Sequence, residues 1–182
     1  MSDLWVFGYG SLMWRPGFPH EEAVDALIGG VHRALCVYSW VHRGTKARPG
    51  LVLGLDRGGS CRGIAFRIAP ASRDGVIAYL RERELVTSVY REVQRDIRLL
   101  RGRIEIVVAT TFVVDRSHEQ YAGDLSREKL LDLVRDSRGL SGANADYVLN
   151  TARHLRTLGL RDPVLDWLAE KLTEDAASTQ PV

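Results

Sequence analysis

Cysteine is scarce in this chain. Only Cys36 and Cys61 occur among 182 residues, without C-x-x-C spacing, which excludes a disulfide framework and points to a reducing cytoplasm. Charge of one sign is missing too. Twenty-five Lys and Arg face twenty-three Asp and Glu, for a net charge of +2. That balance is too small for the electrostatic footprint of a nucleic-acid binder, although it suits a small anionic substrate. No apolar run approaches the length of a membrane span. Asp3 stands where a secretory leader would be basic, so no leader is expected. No group of His, Cys, Asp and Glu has metal-ligand spacing. No G-x-x-x-x-G-K-[ST] or G-x-S-x-G is present, and a dinucleotide fingerprint starting at Gly8 fails because Met13 replaces its third glycine. Repeats, low-complexity stretches and linkers are also lacking, so residues 1–182 are expected to form one domain.

What remains reads as strands first and helices later. Trp5 to Phe7 opens a strand, and Arg15 to Pro19 is an irregular surface segment. Val31 to Tyr38 reads as a strand. Leu51 to Leu55 and Gly63 to Ile68 read as a hairpin turning at Arg57-Gly58-Gly59-Ser60. A helix is expected from Ser72 to Glu84, with Ser72 or Asp74 as its N-cap. Val89 to Leu100 and Ile104 to Val114 form a second hairpin around Arg101-Gly102. Three helices follow: one capped by Ser126, one over Asn144 to Leu158, and one opened by Asp162-Pro163. The core should span about residues 4–172, with a polar, frayed tail over 173–182. Strands arriving as hairpins argue for an α+β fold, its mixed or antiparallel sheet closed toward a small barrel with flanking helices.

Two stretches carry candidate chemistry. Gly8-Tyr9-Gly10-Ser11-Leu12 ends the first strand in a turn whose amides can cradle an anion. In the Ser72–Glu84 helix, Val76, Ile77 and Leu80 define an apolar stripe. Glu84 falls about 30° from its centre, whereas Glu82 falls nearly opposite. A carboxylate on an apolar stripe resists ionisation, and the helix C-terminus pushes its pKa the same way. Such a group can act as both base and acid near neutral pH. The alternative is an internal ion pair with Arg43, Arg48 or Arg91. Cys36, between Leu35 and Val37, reads as a buried packing thiol, the alternative being a nucleophile served by His32. Tyr147 lies at the edge of its helix's apolar stripe.

Taken together, Phe7-Gly8-Tyr9-Gly10-Ser11-Leu12-Met13-Trp14 resembles the opening motif of the ChaC family of γ-glutamylcyclotransferases. Arg43-Gly44-Thr45 with Pro49-Gly50, Gly54 with Cys61-Arg62-Gly63, Arg83-Glu84, and Ser141-Gly142-Ala143-Asn144 before Asp146-Tyr147 follow in family order. The resemblance implies a closed or nearly closed sheet and cofactor-free cleavage of glutathione into 5-oxoproline and cysteinylglycine. It implies a catalytic role for Glu84 and a substrate loop at Tyr9, Gly10, Ser11 and Leu12. Beside it, Arg43 or Arg48 is a candidate partner for the distal carboxylate, and Tyr147 a candidate to orient the γ-glutamyl group. Some members follow the glutamate with Lys-Gly-Gly-Tyr; here Leu85 to Tyr90 follows, which leaves the substrate preference open. Other γ-glutamyl amines as substrates, a sensor without turnover, and a cysteine amidohydrolase are the competing readings. The expected protein is a cytoplasmic monomer that takes glutathione as its small-molecule partner and binds no metal, nucleic acid or membrane.

Overall fold

Seven strands and four helices make up the chain in a computed structural model that describes residues 3–85 and 87–178. Strand β1 (Leu4–Gly8) is buried throughout. The long strands β2 (Glu22–Ser39) and β3 (Gly50–Ile68) follow, then helix α1 (Arg73–Glu84). Next come β4 (Tyr90–Arg101) and β5 (Arg103–Val114). Helix α2 (Arg127–Asp136) leads through two-residue strands β6 (Arg138–Gly139) and β7 (Gly142–Ala143) to α3 (Asn144–Thr157) and α4 (Pro163–Ser178).

The five long strands close into a barrel in the order β1-β3-β2-β4-β5. Closure comes from the parallel pair of β1 with β5, in which Trp5 faces Ala109 and Val6 faces Thr110. The remaining recorded pairs are antiparallel. A closed sheet has no unpaired edge, so the expected α+β fold with a closed mixed sheet is the one observed. The β4–β5 hairpin turns at Gly102, and its twelve-residue register runs without a break from Arg101↔Arg103 to Tyr90↔Val114.

Three expectations need correction. No hairpin divides residues 51–68. Gly58 and Gly59 take φ of +101° and +69°, a backbone that only glycine adopts cheaply, and they bend one continuous strand instead of ending it. Strand β2 also begins at Glu22, nine residues ahead of the expected start; of residues 22–30 only Ala26 and Ile28 are buried, and Gly29-Gly30 separates them from the apolar run at Val31. Helix α4 continues through Ser178, so residues 173–178 are helical; residues 179–182 lie outside the described ones.

Packing divides the chain into two compact units. One joins the stretch up to Ala34 with Leu53–Tyr121, and the other joins Leu35–Val52 with the stretch from Ala122 onward. In the first, Phe7, Ile28, Ile68, Leu80, Ile97 and Phe112 are fully buried. The second packs α2, α3 and α4 through Val134, Val148, Leu155, Leu165 and Leu168. Ser126 caps α2 by accepting from the Lys129 amide, and Asp162 Oδ1 accepts from the amides of Val164 and Leu165 at the head of α4. The buried side chain of Asn144 acts as a short length of strand. Its Oδ1 accepts from the Leu51 amide at 2.7 Å, and its Nδ2 donates to the Leu51 carbonyl at 2.8 Å.

Replacing Asn144 with Ala leaves both backbone groups of buried Leu51 without partners. We expect a loss of at least about 2 kcal/mol, the range for orphaned buried polar groups, read as a lower midpoint in urea unfolding. A midpoint within error of wild type would show that Asn144 is dispensable to the second unit.

Candidate active site

Strand β1 delivers its loop as expected. Gly8 allows the close return of the chain, since a Cβ there would meet the Leu12 Cβ at 3.0 Å; Gly10 has room for one. Ser11–Met13 forms a single 3-10 turn, with the Met13 amide donating to the Gly10 carbonyl at 2.9 Å. Tyr9 and Leu12 are buried and Ser11 is exposed. The amides of Ser11 and Leu12 meet no protein acceptor among the described residues. They are therefore available to an anion.

The residue that fixes this loop is the arginine of the Arg83-Glu84 pair. Arg83, in the last turn of α1, donates through Nη2 to Ser11 Oγ at 2.8 Å. Its Nη1 donates to the Arg15 carbonyl at 2.9 Å, the Pro16 carbonyl at 3.4 Å and the Tyr79 hydroxyl at 2.9 Å. Tyr79 also meets Phe18 edge-on, and Phe18 meets Phe66 likewise at 5.5 Å between ring centroids. The supposed surface segment is thus stapled to α1, with Phe18 buried. Behind the loop, Arg33 Nε donates to the Tyr9 carbonyl at 2.6 Å and Thr111 Oγ1 to the Phe7 carbonyl at 3.0 Å. No sequence signal marks Arg33 or Thr111, because both act on backbone carbonyls remote along the chain.

Glu84 lies where the apolar stripe puts it. Its side chain is 18% exposed, and its Oε1 is 3.3 Å from Arg83 Nε. Burial pushes its carboxyl above the usual carboxylate range, while Arg83 pulls weakly the other way. The ion-pair partner is the adjacent Arg83, none of the three arginines considered from sequence. One guanidinium therefore joins the Ser11 hydroxyl, the loop carbonyls and the Glu84 carboxylate. Glu82 is exposed, as the helical wheel requires.

Of the other candidates, Arg43, Arg48, Cys36 and Tyr147 lie in the second unit and His32 in the first. Arg43 Nη1 donates to the carbonyls of Ser141 at 2.6 Å and Ala143 at 3.3 Å, and its guanidinium carbon stands 5.4 Å from the Tyr147 ring centroid. Its Nε and Nη2 take no protein acceptor among the described residues. Arg48 is held by Asp136 at 2.8 Å on the surface. His32 Nδ1 lies 3.0 Å from the Gly58 carbonyl, and Cys36 is a buried thiol unjoined by a disulfide. No three His, Cys, Asp or Glu among the described residues gather in a way that could hold a metal. No described helix is long and apolar enough to cross a membrane.

With a carboxyl of raised pKa tied by one arginine to an anion-ready loop, comparison with known proteins becomes specific. The family profile of ChaC-like proteins matches residues 4–175. The chain belongs to the ChaC-like family. A ChaC relative from Escherichia coli, the glutathione-specific gamma-glutamylcyclotransferase, is 32% identical over 180 residues, covering 99% of this chain and 77% of its own. The Schizosaccharomyces pombe protein of the same name is 30% identical, covering 86% and 85%. Among solved structures, a yeast gamma-glutamyl cyclotransferase specific to glutathione superposes with a TM-score of 0.82 at 20% identity, over 96% of this chain and 97% of that one. That likeness shows the ChaC fold.

Removing the Arg83 cation removes the one recorded opposition to burial at Glu84, so Arg83→Met should raise the Glu84 pKa further. Carboxyl NMR titration of wild type and variant reads the shift. A fall in the Glu84 pKa would show that the guanidinium does not act on that carboxylate.

Proposed function

We propose that the chain is a glutathione-specific γ-glutamylcyclotransferase, with Glu84 as its proton-transfer group. The observation that carries this reading is the single Arg83 guanidinium joining a mostly buried carboxylate to the Ser11 turn. The family and the names of the relatives support it.

In a γ-glutamyl amide the nucleophile is already part of the substrate. The α-amine, once it has lost its ammonium proton, attacks the γ-carbonyl carbon and closes a five-membered ring. The C–N bond to the cysteinyl nitrogen then breaks. Such intramolecular attack gains most from correct orientation. What the protein must add is proton transfer. Glu84 takes a proton from the attacking amine and returns one to the leaving nitrogen, giving 5-oxoproline and cysteinylglycine. A carboxyl with a pKa above its ordinary range suits both steps near neutral pH. Amides of the Gly10–Leu12 turn are placed to hold a substrate carboxylate or the oxyanion of the ring-closing intermediate. The chemistry as written calls for no metal or redox cofactor.

Arg43 keeps two donor positions for a second carboxylate, over the face of Tyr147, and we assign this pair to substrate binding. Arg43→Gln should then raise KM for glutathione about tenfold, the worth of a charge-assisted hydrogen bond, with kcat little changed. An unchanged KM with a lower melting temperature would reduce Arg43 to a clamp on residues 141–143. We place the reaction in the reducing cytoplasm, carried out by a monomer. The two cysteines unjoined by a disulfide agree with that compartment.

Glu84→Gln tests the central assignment. Loss of acid–base exchange should lower turnover by about 10²–10⁴-fold, measured as 5-oxoproline release, while calorimetry still finds glutathione bound. Glu82→Gln should be nearly silent. Stability should move the opposite way. A carboxyl raised on folding stabilises the protein below its unfolded pKa and loses that contribution as pH rises through the folded value. Glutamine has no such loss, so Glu84→Gln should be more stable than wild type near neutrality, with the gain vanishing in acid. Wild-type turnover in Glu84→Gln would remove the assignment. Binding of glutathione by wild type without release of 5-oxoproline, from it or from a panel of γ-glutamyl peptides, would make the protein a sensor.

A further inference from the structure

Away from Glu84 and the Ser11 turn, the barrel wall of the first unit opens along one seam. Recorded pairing of β2 with β4 covers only Ala26↔Leu99 to Ile28↔Ile97. Just beyond, Gly30 takes φ of +78° and turns β2 away. The opening is a groove of about 730 Å³, within the range of small-molecule sites.

The groove is lined by four arginines, Arg57, Arg91, Arg95 and Arg116. Two of them sit on an unusual register. Alternate residues of a strand share a face, and on β4 that face buries Leu99 and Ile97. Continuing by twos puts Arg95 and Arg91 on that same register, where the burial has ended and both side chains are exposed to the groove. Two aspartates line the same space, and both are engaged. Asp56 accepts from the Tyr121 hydroxyl at 2.8 Å, the Arg57 amide at 2.7 Å and Arg116 Nε at 3.1 Å. Asp115 accepts from the Ser117 amide and hydroxyl, bonds that hold its carboxyl below the ordinary range, and Arg91 is near enough to lower it further. The guanidinium groups of Arg57 and Arg95 have no hydrogen-bond or ion-pair partner among the described residues. Val31, Leu55, Val113 and Val114 complete the lining with apolar surface.

We propose that this seam is a binding site for a small molecule bearing phosphate groups, distinct from the site of Glu84. Guanidinium groups bind phosphate oxygens in pairs, and four of them line this one groove. The aliphatic patch beside them fits an apolar or heterocyclic body attached to the phosphates. Binding here stands whether or not the chain cleaves glutathione.

Calorimetry of the full chain at low and physiological salt tests this, with pyrophosphate, ADP and glutathione as probes. Saturable one-to-one binding of pyrophosphate is expected. Tighter binding of ADP would assign an organic phosphate, and equal binding would assign the phosphoryl groups alone. Arg91→Gln with Arg95→Gln should weaken binding about tenfold or more, the loss of charge-assisted bonds. Arg98→Gln, one charge removed from the opposite register of β4 and compared with each single substitution, should alter it less than about twofold. Kinetics with glutathione in phosphate-free buffer should be unchanged in the double variant. Should that variant fail to fold, each single substitution carries the same comparison. Absence of saturable binding, equal weakening by Arg98→Gln, competition of glutathione with pyrophosphate, or a raised KM for glutathione in the arginine variants would each overturn the proposal.

Discussion

The reach of the Arg83 side chain is the constraint on which the candidate site depends. Helix α1 ends at Glu84, and the loop after β1 is separated from it by some seventy residues of chain. A planar guanidinium spans that gap with donors to Ser11, Arg15, Pro16 and Tyr79, and turns its Nε toward Glu84. Lysine carries the charge without the fork, and could not satisfy acceptors in several directions at once. The Arg-Glu pair that the family resemblance brings forward is thus two residues with separable tasks. The first sets the geometry, and the second is the group to which we assign the proton chemistry.

This division explains a tension at Glu84. A carboxylate at 18% exposure with one cation 3.3 Å away is neither solvated nor fully neutralised. Full compensation by a bidentate arginine would hold the carboxyl low and leave it a weak base. Removal of every cation would leave burial unopposed and make the carboxyl harder to ionise. Arg83 spends its Nη donors on the loop and offers Glu84 only an off-centre contact. The net direction, upward by burial, follows from that sharing. Loop order and carboxyl tuning are therefore coupled through one side chain.

Much of this was legible in the sequence, and the pattern of misses is physical. Helical periodicity located Glu84 on the buried side of α1 because the spacing of Val76 and Leu80 is a local property. The β4–β5 hairpin was legible for the same reason: a glycine turn sits between a strand with interspersed charges and a β-branched run. The glycines at 58 and 59 misled because φ > 0 serves a bend within a strand as well as a turn between two. The opening of β2 was missed because Gly29-Gly30 lies within the strand and interrupts its apolar pattern ahead of Val31. Arg83 and Arg33 were invisible as positioning groups, since their acceptors are carbonyls and hydroxyls far along the chain, and no residue-type pattern encodes a distant backbone oxygen.

The second unit shows the same principle from the other side. Of its family motifs, Arg43-Gly44-Thr45 and Ser141-Gly142-Ala143-Asn144, only Arg43 reads as a candidate substrate contact, yet the first observed duty of both is to hold the second unit together. Arg43 clasps the carbonyls of residues 141 and 143, and Asn144 pairs both polar groups of Leu51. Asn144 is buried and fully used, so a ligand gains nothing from it. Arg43 retains donors at Nε and Nη2, and it alone of these motif residues keeps charge to offer. A motif residue's capacity for substrate is what remains after the fold has taken its share. By that measure Arg43 stays a binding candidate, while Asn144 belongs to the scaffold.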